Sequence, residues 1–193
     1  MIYDLLAPFY DAINSDIDYT KWADFIEEIF KKECRSRPEL VLDLGCGTGK
    51  MTILVSACLL GCPCRYDGKS KPNAAVLALM AEHTLIPICP EQMGGLATPR
   101  PPAECKEGGV FTQAGTDVTA QYRRGAEEAL HLAKLYGCTC AILKERSPSC
   151  GSNGIYDGSF SRTLVDGDGV TAALLKQQGI AVYGESEVDN LWK

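Results

Sequence analysis

Ten cysteines against two histidines set the chemistry open to this chain of 193 residues. The cysteines are Cys34, Cys46, Cys58, Cys62, Cys64, Cys89, Cys105, Cys138, Cys140 and Cys150; the histidines are His83 and His131. The start, Met1-Ile2-Tyr3-Asp4, lacks the basic residues and apolar stretch of a secretion signal, so a cytoplasmic chain is expected. In a reducing compartment, cysteines at this density point to metal binding or catalysis rather than to disulfides. A thiolate-only metal site is well supplied here, whereas a His-rich zinc site or a Cys–His protease is not.

Whether such thiols meet depends on the elements that carry them. Apolar runs at 53–56, 85–88, 138–143 and 180–183 read as buried strands. Between them lie helical patterns at 73–83, 117–136 and 170–178. Pro72 opens the first, Asp117 caps the second, and Gly137 and Gly179 close the second and third. In the second helix Val118, Tyr122, Ala126, Ala129, Leu130 and Ala133 fall on the inward face. Strands alternating with helices imply an α/β fold: a Rossmann-like parallel sheet with helices on both faces. The stretch 94–116, with Pro99, Pro101 and Pro102, reads as a long loop of the kind that carries function.

Ligands of a parallel sheet bind outside the carboxyl ends of its strands. Cys58 follows the first strand, Cys89 the second and Cys150 the third, each in a loop containing Gly or Pro. Such loops present backbone N–H groups that stabilise thiolates and cluster sulfides. Three converging thiolates can hold a 4Fe–4S cluster with one iron left open. On spacing and topology alone, three buried and inert thiols remain an equal reading.

Residues 1–50 carry a different pattern. Trp22, Phe25, Ile26, Ile29 and Phe30 share one helical face. A strand at 40–42 then runs into Asp43-Leu44-Gly45-Cys46-Gly47-Thr48-Gly49. Together with the segment from Tyr3 to Asp11, this resembles the start of a class I S-adenosylmethionine-dependent methyltransferase. The resemblance stops there. Ile53–Ala57 forms a strand where that family needs a helix, and Asp67 sits in a turn rather than at a strand end. The chain therefore reads as a truncated methyltransferase-like segment, 1–50, fused near Gly49-Lys50-Met51-Thr52 to a complete domain, 52–193.

Over 52–193 a series of motifs stands in order. They are Cys58-Leu59-Leu60-Gly61, Cys64-Arg65-Tyr66-Asp67-Gly68, Cys89-Pro90-Glu91, Gly94-Gly95-Leu96, Thr98-Pro99-Arg100-Pro101, Leu143-Lys144-Glu145, Ser147-Pro148-Ser149-Cys150-Gly151, Tyr156-Asp157-Gly158 and Gly167-Asp168-Gly169-Val170-Thr171. This set resembles the small iron–sulfur thiouracil desulfurase family. The resemblance implies a 4Fe–4S cluster on Cys58, Cys89 and Cys150, with Glu91 and Ser147 as catalytic residues. It implies removal of sulfur from 2-thiouracil or a related thiopyrimidine, with water as the oxygen source and uracil and sulfide as products. The plainer readings are that Glu91 is a structural anion and Ser147 a turn residue before Pro148. Cys62 or Cys64 could substitute as a ligand, and Arg65 and Arg100 could hold an anionic substrate. Cys138 and Cys140 share a strand face and read as core, while His83 and His131 read as surface or capping groups.

Composition limits the alternatives. With 46% hydrophobic residues the chain is not disordered over most of its length. No apolar run approaches the ~20 residues that span a bilayer. A net charge of −6 argues against DNA or another long polyanion as partner. The competing functions are a methyltransferase, drawn from residues 1–50 alone, and a non-enzymatic Cys-rich metal-binding domain. The oligomeric state is left open.

Overall fold

The structure, a computed structural model, describes residues 19–33 and 50–191. The chain divides into two compact units, Met1–Lys50 and Met51–Lys193. In the first, helix α1 (Tyr19–Glu33) covers the stretch where the apolar stripe was expected, with Lys31 and Lys32 in its last turn. Phe25, Ile26 and Ile29 on that stripe are 54%, 40% and 40% exposed. The expected strand at 40–42, the glycine run 43–49, Cys34 and Cys46 lie outside the described residues.

The second unit opens with β1 (Thr52–Ser56) and a 3-10 turn, Ala57–Leu60. It continues through α2 (Ala74–Ala78), β2 (Thr84–Ile88), α3 (Pro90–Met93) and a hairpin of β3 (Ala103–Lys106) with β4 (Gly109–Thr112). Then come α4 (Thr119–Leu135), β5 (Cys140–Leu143), the short pair β6 (Ile155–Tyr156) and β7 (Leu164–Val165), α5 (Val170–Gln177), β8 (Ala181–Gly184) and α6 (Val188–Leu191). The main sheet has the order β2-β1-β5-β8 with every pairing parallel. The chain steps outward from β1 to β2, then returns past β1 to β5 and on to β8. Strand order thus reverses between β1 and β5, where an open α/β sheet leaves a crevice for ligand.

Ile53, Leu54, Val55, Ala141, Ile142 and Leu143 are all fully buried, which is why these strands are apolar without alternation. Leu54, Ala141, Leu143 and Val182 pack with Ala129 and Ala133 of α4 and Ala172 and Leu175 of α5. Ile53, Val55, Cys140 and Ile142 pack on the opposite face with Val76 of α2 and Val188. Each such aliphatic side chain contributes about 1.5–3 kcal/mol by leaving water. Asn73 caps α2, its Oδ1 accepting from Val76 N at 3.1 Å. The expected cap Asp117 stands one residue before the capping position of α4, which is Val118, and its Oδ1 accepts from Thr119 N at 2.8 Å.

Three expectations are corrected. The stretch 94–116 is not a plain loop: its second half is the β3–β4 hairpin, turned through Glu107 (φ 51°) and Gly108 (φ 79°). Both turn residues take the left-handed conformation that a two-residue hairpin requires. The helix expected over 73–83 ends as an α-helix at Ala78 and tightens into a 3-10 turn over Leu79–Ala81, leaving Met80 exposed. Cys138 and Cys140 do not share a face, because the strand begins only at Cys140; Cys138 packs in the α4–α5 layer and Cys140 in the other.

Candidate active site

The site grows from the carboxyl ends of β1, β2 and β5. Ser56 ends β1, and its Oγ accepts from Lys144 N at 2.9 Å, tying the ends of β1 and β5 together at the crevice. Cys58 follows in the 3-10 turn. Its carbonyl accepts from Lys71 N at 2.9 Å, and Leu59 O from Asn73 N at 2.9 Å. These bonds curl the loop back so that Cys64 is buried beside the first turn. The Cys64 thiol lies against the side chains of both Cys58 and Cys89. Cys89 ends the β2 connection, and its Sγ donates to Cys64 O at 3.5 Å.

The third loop is held by its own serine. Ser147 Oγ accepts from Ser149 N at 3.1 Å and from Cys150 N at 3.2 Å. The start of α5 straps this loop down: Val170 N donates to Pro148 O and Thr171 N to Ser149 O, each at 2.9 Å. Ser149 and Thr171 hydroxyls, both fully buried, bond at 2.9 Å. A side chain at Gly169 would place a Cβ 2.5 Å from Ser149 O, so this crossing needs glycine. Cys150 ends with its thiol beside Ser56, Cys89 and Glu91.

Without a positive centre these thiols resist ionisation. The Cys58 side chain beside it, reinforced by burial, pushes the Cys64 thiol up to about 11. The Cys64 side chain and then burial push Cys89 up. Burial, with Glu91 and Cys89 nearby, pushes Cys150 up to about 12. Crowded thiols of this kind fit a soft cation, which favours the thiolate form that each neighbour opposes. Among the described residues, no three His, Cys, Asp or Glu side chains close on a single metal ion; the thiols are spread over three strand ends.

A carboxylate completes the rim. Glu91 lies in the first turn of α3, directly after Pro90. Its Oε2 accepts from Arg100 Nε at 2.7 Å, and its Oε1 from Ser147 Oγ at 3.5 Å. Tyr122, 2% exposed, also faces Glu91; burial and then the carboxylate charge push its phenol up. Burial works against the charge on Arg100, but Glu91 outweighs it and holds the guanidinium above its ordinary range. Helix α3 reaches this place because α4 presents Gly125 at the point where they cross. A Cβ on Gly125 would lie 1.9 Å from Pro90 O, and one on Gly94 2.0 Å from Gln121 O.

The fold therefore carries Cys58, Cys89 and Cys150 to one rim and joins Glu91 to Ser147. Cys62 is exposed, while Cys64 stands between two of the three cysteines. The arginines do not offer a free anion site: Arg65 pairs with Asp67 at 3.3 Å and Arg100 with Glu91. Tyr122 was read only as core. A phenol on the buried stripe of a helix needs a partner, and that is the signal that would have marked it. His83 accepts from Met51 N at 3.4 Å, and His131 lies on α4, both away from this rim.

Residues 53–187 match the family model described as 2-thiouracil desulfurase. This chain belongs to the 2-thiouracil desulfurase family. Its relative "Uncharacterized protein YbbK" of Bacillus subtilis (strain 168) is 44% identical over 149 residues, covering 72% of this chain and 99% of the relative. A solved structure described as the 4Fe-4S-dependent thiouracil desulfidase TudS matches with a TM-score of 0.70 and 50% identity, covering 73% of this chain and 95% of that one. The α/β architecture of this desulfurase-family chain agrees with that neighbour. A different relative, "Putative methyltransferase GWCH70_2453" of Geobacillus sp. (strain WCH70), is 32% identical over 53 residues. That match takes in 28% of this chain and 22% of the relative.

Proposed function

We propose that residues 52–193 remove sulfur from 2-thiouracil or a related thiopyrimidine, with a 4Fe–4S cluster held by Cys58, Cys89 and Cys150. The observation that carries this reading is the meeting of thiols and a Glu–Ser pair at one rim, in a chain of the desulfurase family. Overall, a C=S bond and water become C=O and hydrogen sulfide, with no net change of oxidation state. When bound, the cluster supplies a soft Lewis acid that draws electron density from the thiocarbonyl.

The remaining work falls to side chains. Arg100 occupies Glu91 Oε2 at 2.7 Å, so Oε1 is the oxygen that takes a proton from the attacking water. Ser147 Oγ already accepts two backbone N–H bonds, which leaves its own proton aimed at Oε1. It thereby relays a proton between Glu91 and the departing groups. Ser149, Thr171 and Gly169 fix the serine's loop, so neither partner has to search for the other.

The partner in this reading is a small thiopyrimidine, not DNA or a membrane. Among the described residues no helix is long and apolar enough to cross a bilayer. The compartment in this reading is the reducing cytoplasm, where unpaired cysteines at this density persist. Residues 1–50 are a truncated methyltransferase-like segment outside this chemistry.

The test is made on anaerobically reconstituted protein: iron and acid-labile sulfide per chain, then sulfide release from 2-thiouracil in the same sample. About four irons are expected, with turnover that Cys58→Ala abolishes. No iron, or one tightly held zinc without turnover, overturns the reading.

A further inference from the structure

Arg100 is a buried cation with an unusual set of obligations. Its side chain is 6% exposed. Nε donates to Glu91 Oε2 at 2.7 Å; Nη1 donates to Ala97 O at 3.2 Å and Thr98 Oγ1 at 3.0 Å; Nη2 donates to Cys64 O at 3.0 Å. Its backbone N–H donates to Tyr66 O at 2.8 Å. All three guanidinium nitrogens are thus committed to protein. A planar fork of this kind fixes direction as well as charge.

What it fixes is the distance between two halves of the site. Glu91 stands on a helix of four residues, and besides Arg100 its carboxylate meets Ser147 at 3.5 Å and Tyr122. Cys64 belongs to the cysteine loop, and its thiol touches those of Cys58 and Cys89. One guanidinium holds both the carboxylate and the Cys64 carbonyl. We propose that Arg100 is a positioning residue that locks Glu91 Oε1 in place relative to the Cys58–Cys64 loop without itself touching substrate. This rests on the desulfurase reading, in which Glu91 takes the proton from water.

The test compares Arg100→Ala, Glu91→Gln and the double variant in the reconstituted full chain. Arg100→Ala is expected to keep wild-type iron and KM and to lose kcat by ~100-fold, the cost of a carboxylate displaced by about an ångström. Added guanidinium ion restores much of that rate in Arg100→Ala but none in Glu91→Gln. The double variant is no slower than Glu91→Gln alone, because the arginine acts only through the glutamate. Should Arg100→Ala fail to fold, Arg100→Gln carries the same comparison with a planar head in place.

A raised KM at unchanged kcat would overturn the proposal and make Arg100 a substrate contact. So would a loss that adds to that of Glu91→Gln and ignores guanidinium. If the wild type turns nothing over, the desulfurase reading fails separately. Crystal structures of wild type and variant still decide the arginine: Glu91 swung from its place supports the proposal, and Glu91 unmoved overturns it.

Discussion

The two units of this chain each carry a ligand-binding signature; in the second the described residues surround it with buried layers, while in the first the signature lies outside the described residues. In the first, a glycine run follows a short apolar strand pattern, and the described helix leaves Phe25, Ile26 and Ile29 between 40% and 54% exposed. In the second, cysteines 31 and 61 residues apart (58 to 89, 89 to 150) meet because four parallel strands end side by side. The methyltransferase relative is matched over 22% of its length, the YbbK relative and the solved desulfidase over almost all of theirs. A compact motif is easy to see and inexpensive to inherit; a site needs the buried layers that hold its parts at fixed distances.

The sharpest way to break this contrast is through the cysteines themselves. Cys150→Ala is expected to remove both iron and sulfide-releasing activity, since it deletes a thiol at the sheet's crevice. Cys34→Ala and Cys46→Ala, in the first unit, are expected to change neither. Iron analysis beside a sulfide assay reads all three. Iron lost from a first-unit variant would show that the two units share the metal chemistry. Next in size comes Glu91→Gln, which keeps the side chain's shape but removes the proton acceptor. It should lower kcat by ~10²–10⁴ with iron content unchanged; retained turnover would move the base elsewhere.

Much of the second unit was legible because its two central strands, β1 and β5, are buried on both faces. Ile53-Leu54-Val55 and Ala141-Ile142-Leu143 are apolar without interruption, and Gly or Pro follows each. Cys58, Cys89 and Cys150 were legible for the same reason, since each follows a recognisable strand. The β3–β4 hairpin was not. Its first strand, Ala-Glu-Cys-Lys, turns a glutamate inward, and Glu104 is 8% exposed because its Oε2 accepts from Phe160 N at 2.9 Å. That partner lies 56 residues away, and no local pattern announces it. The Arg100–Glu91–Tyr122 contacts were hidden likewise: they join a loop, a one-turn helix and the face of α4. Cys138 was misplaced by carrying strand alternation two residues too early.

Gly125→Ala probes how tightly the second unit holds its site. In a solvent-facing helix the change would stabilise by up to ~1 kcal/mol. Here the new Cβ would sit 1.9 Å from Pro90 O, so α3 must move. The expected result is the opposite sign, a loss of about 1–3 kcal/mol, read as a lower Tm. Because Glu91 follows Pro90, kcat should fall with it, by about tenfold or more. A higher Tm with full activity would mean that α3 does not rest on α4 as described.

The smallest effect is expected from the largest deletion. Removing residues 1–50 takes away a quarter of the chain, including a helix and a complete glycine motif, yet none of the hydrogen bonds given above among the described residues for Cys58, Cys64, Cys89, Glu91, Ser147 and Cys150. Its effect should therefore fall below that of one methyl group at Gly125. Iron per chain, KM and kcat of the 51–193 fragment should equal those of the full chain, and its melting transition should stay in place. Calorimetry of both proteins, with the sulfide assay beside it, checks this. A fragment that precipitates or loses iron would mean that the apolar stripe of α1 covers surface the second unit needs, and the two units would then be one folding body. Tight binding of S-adenosylmethionine by the full chain would break the contrast from the other side, because the glycine motif would then have a working site around it.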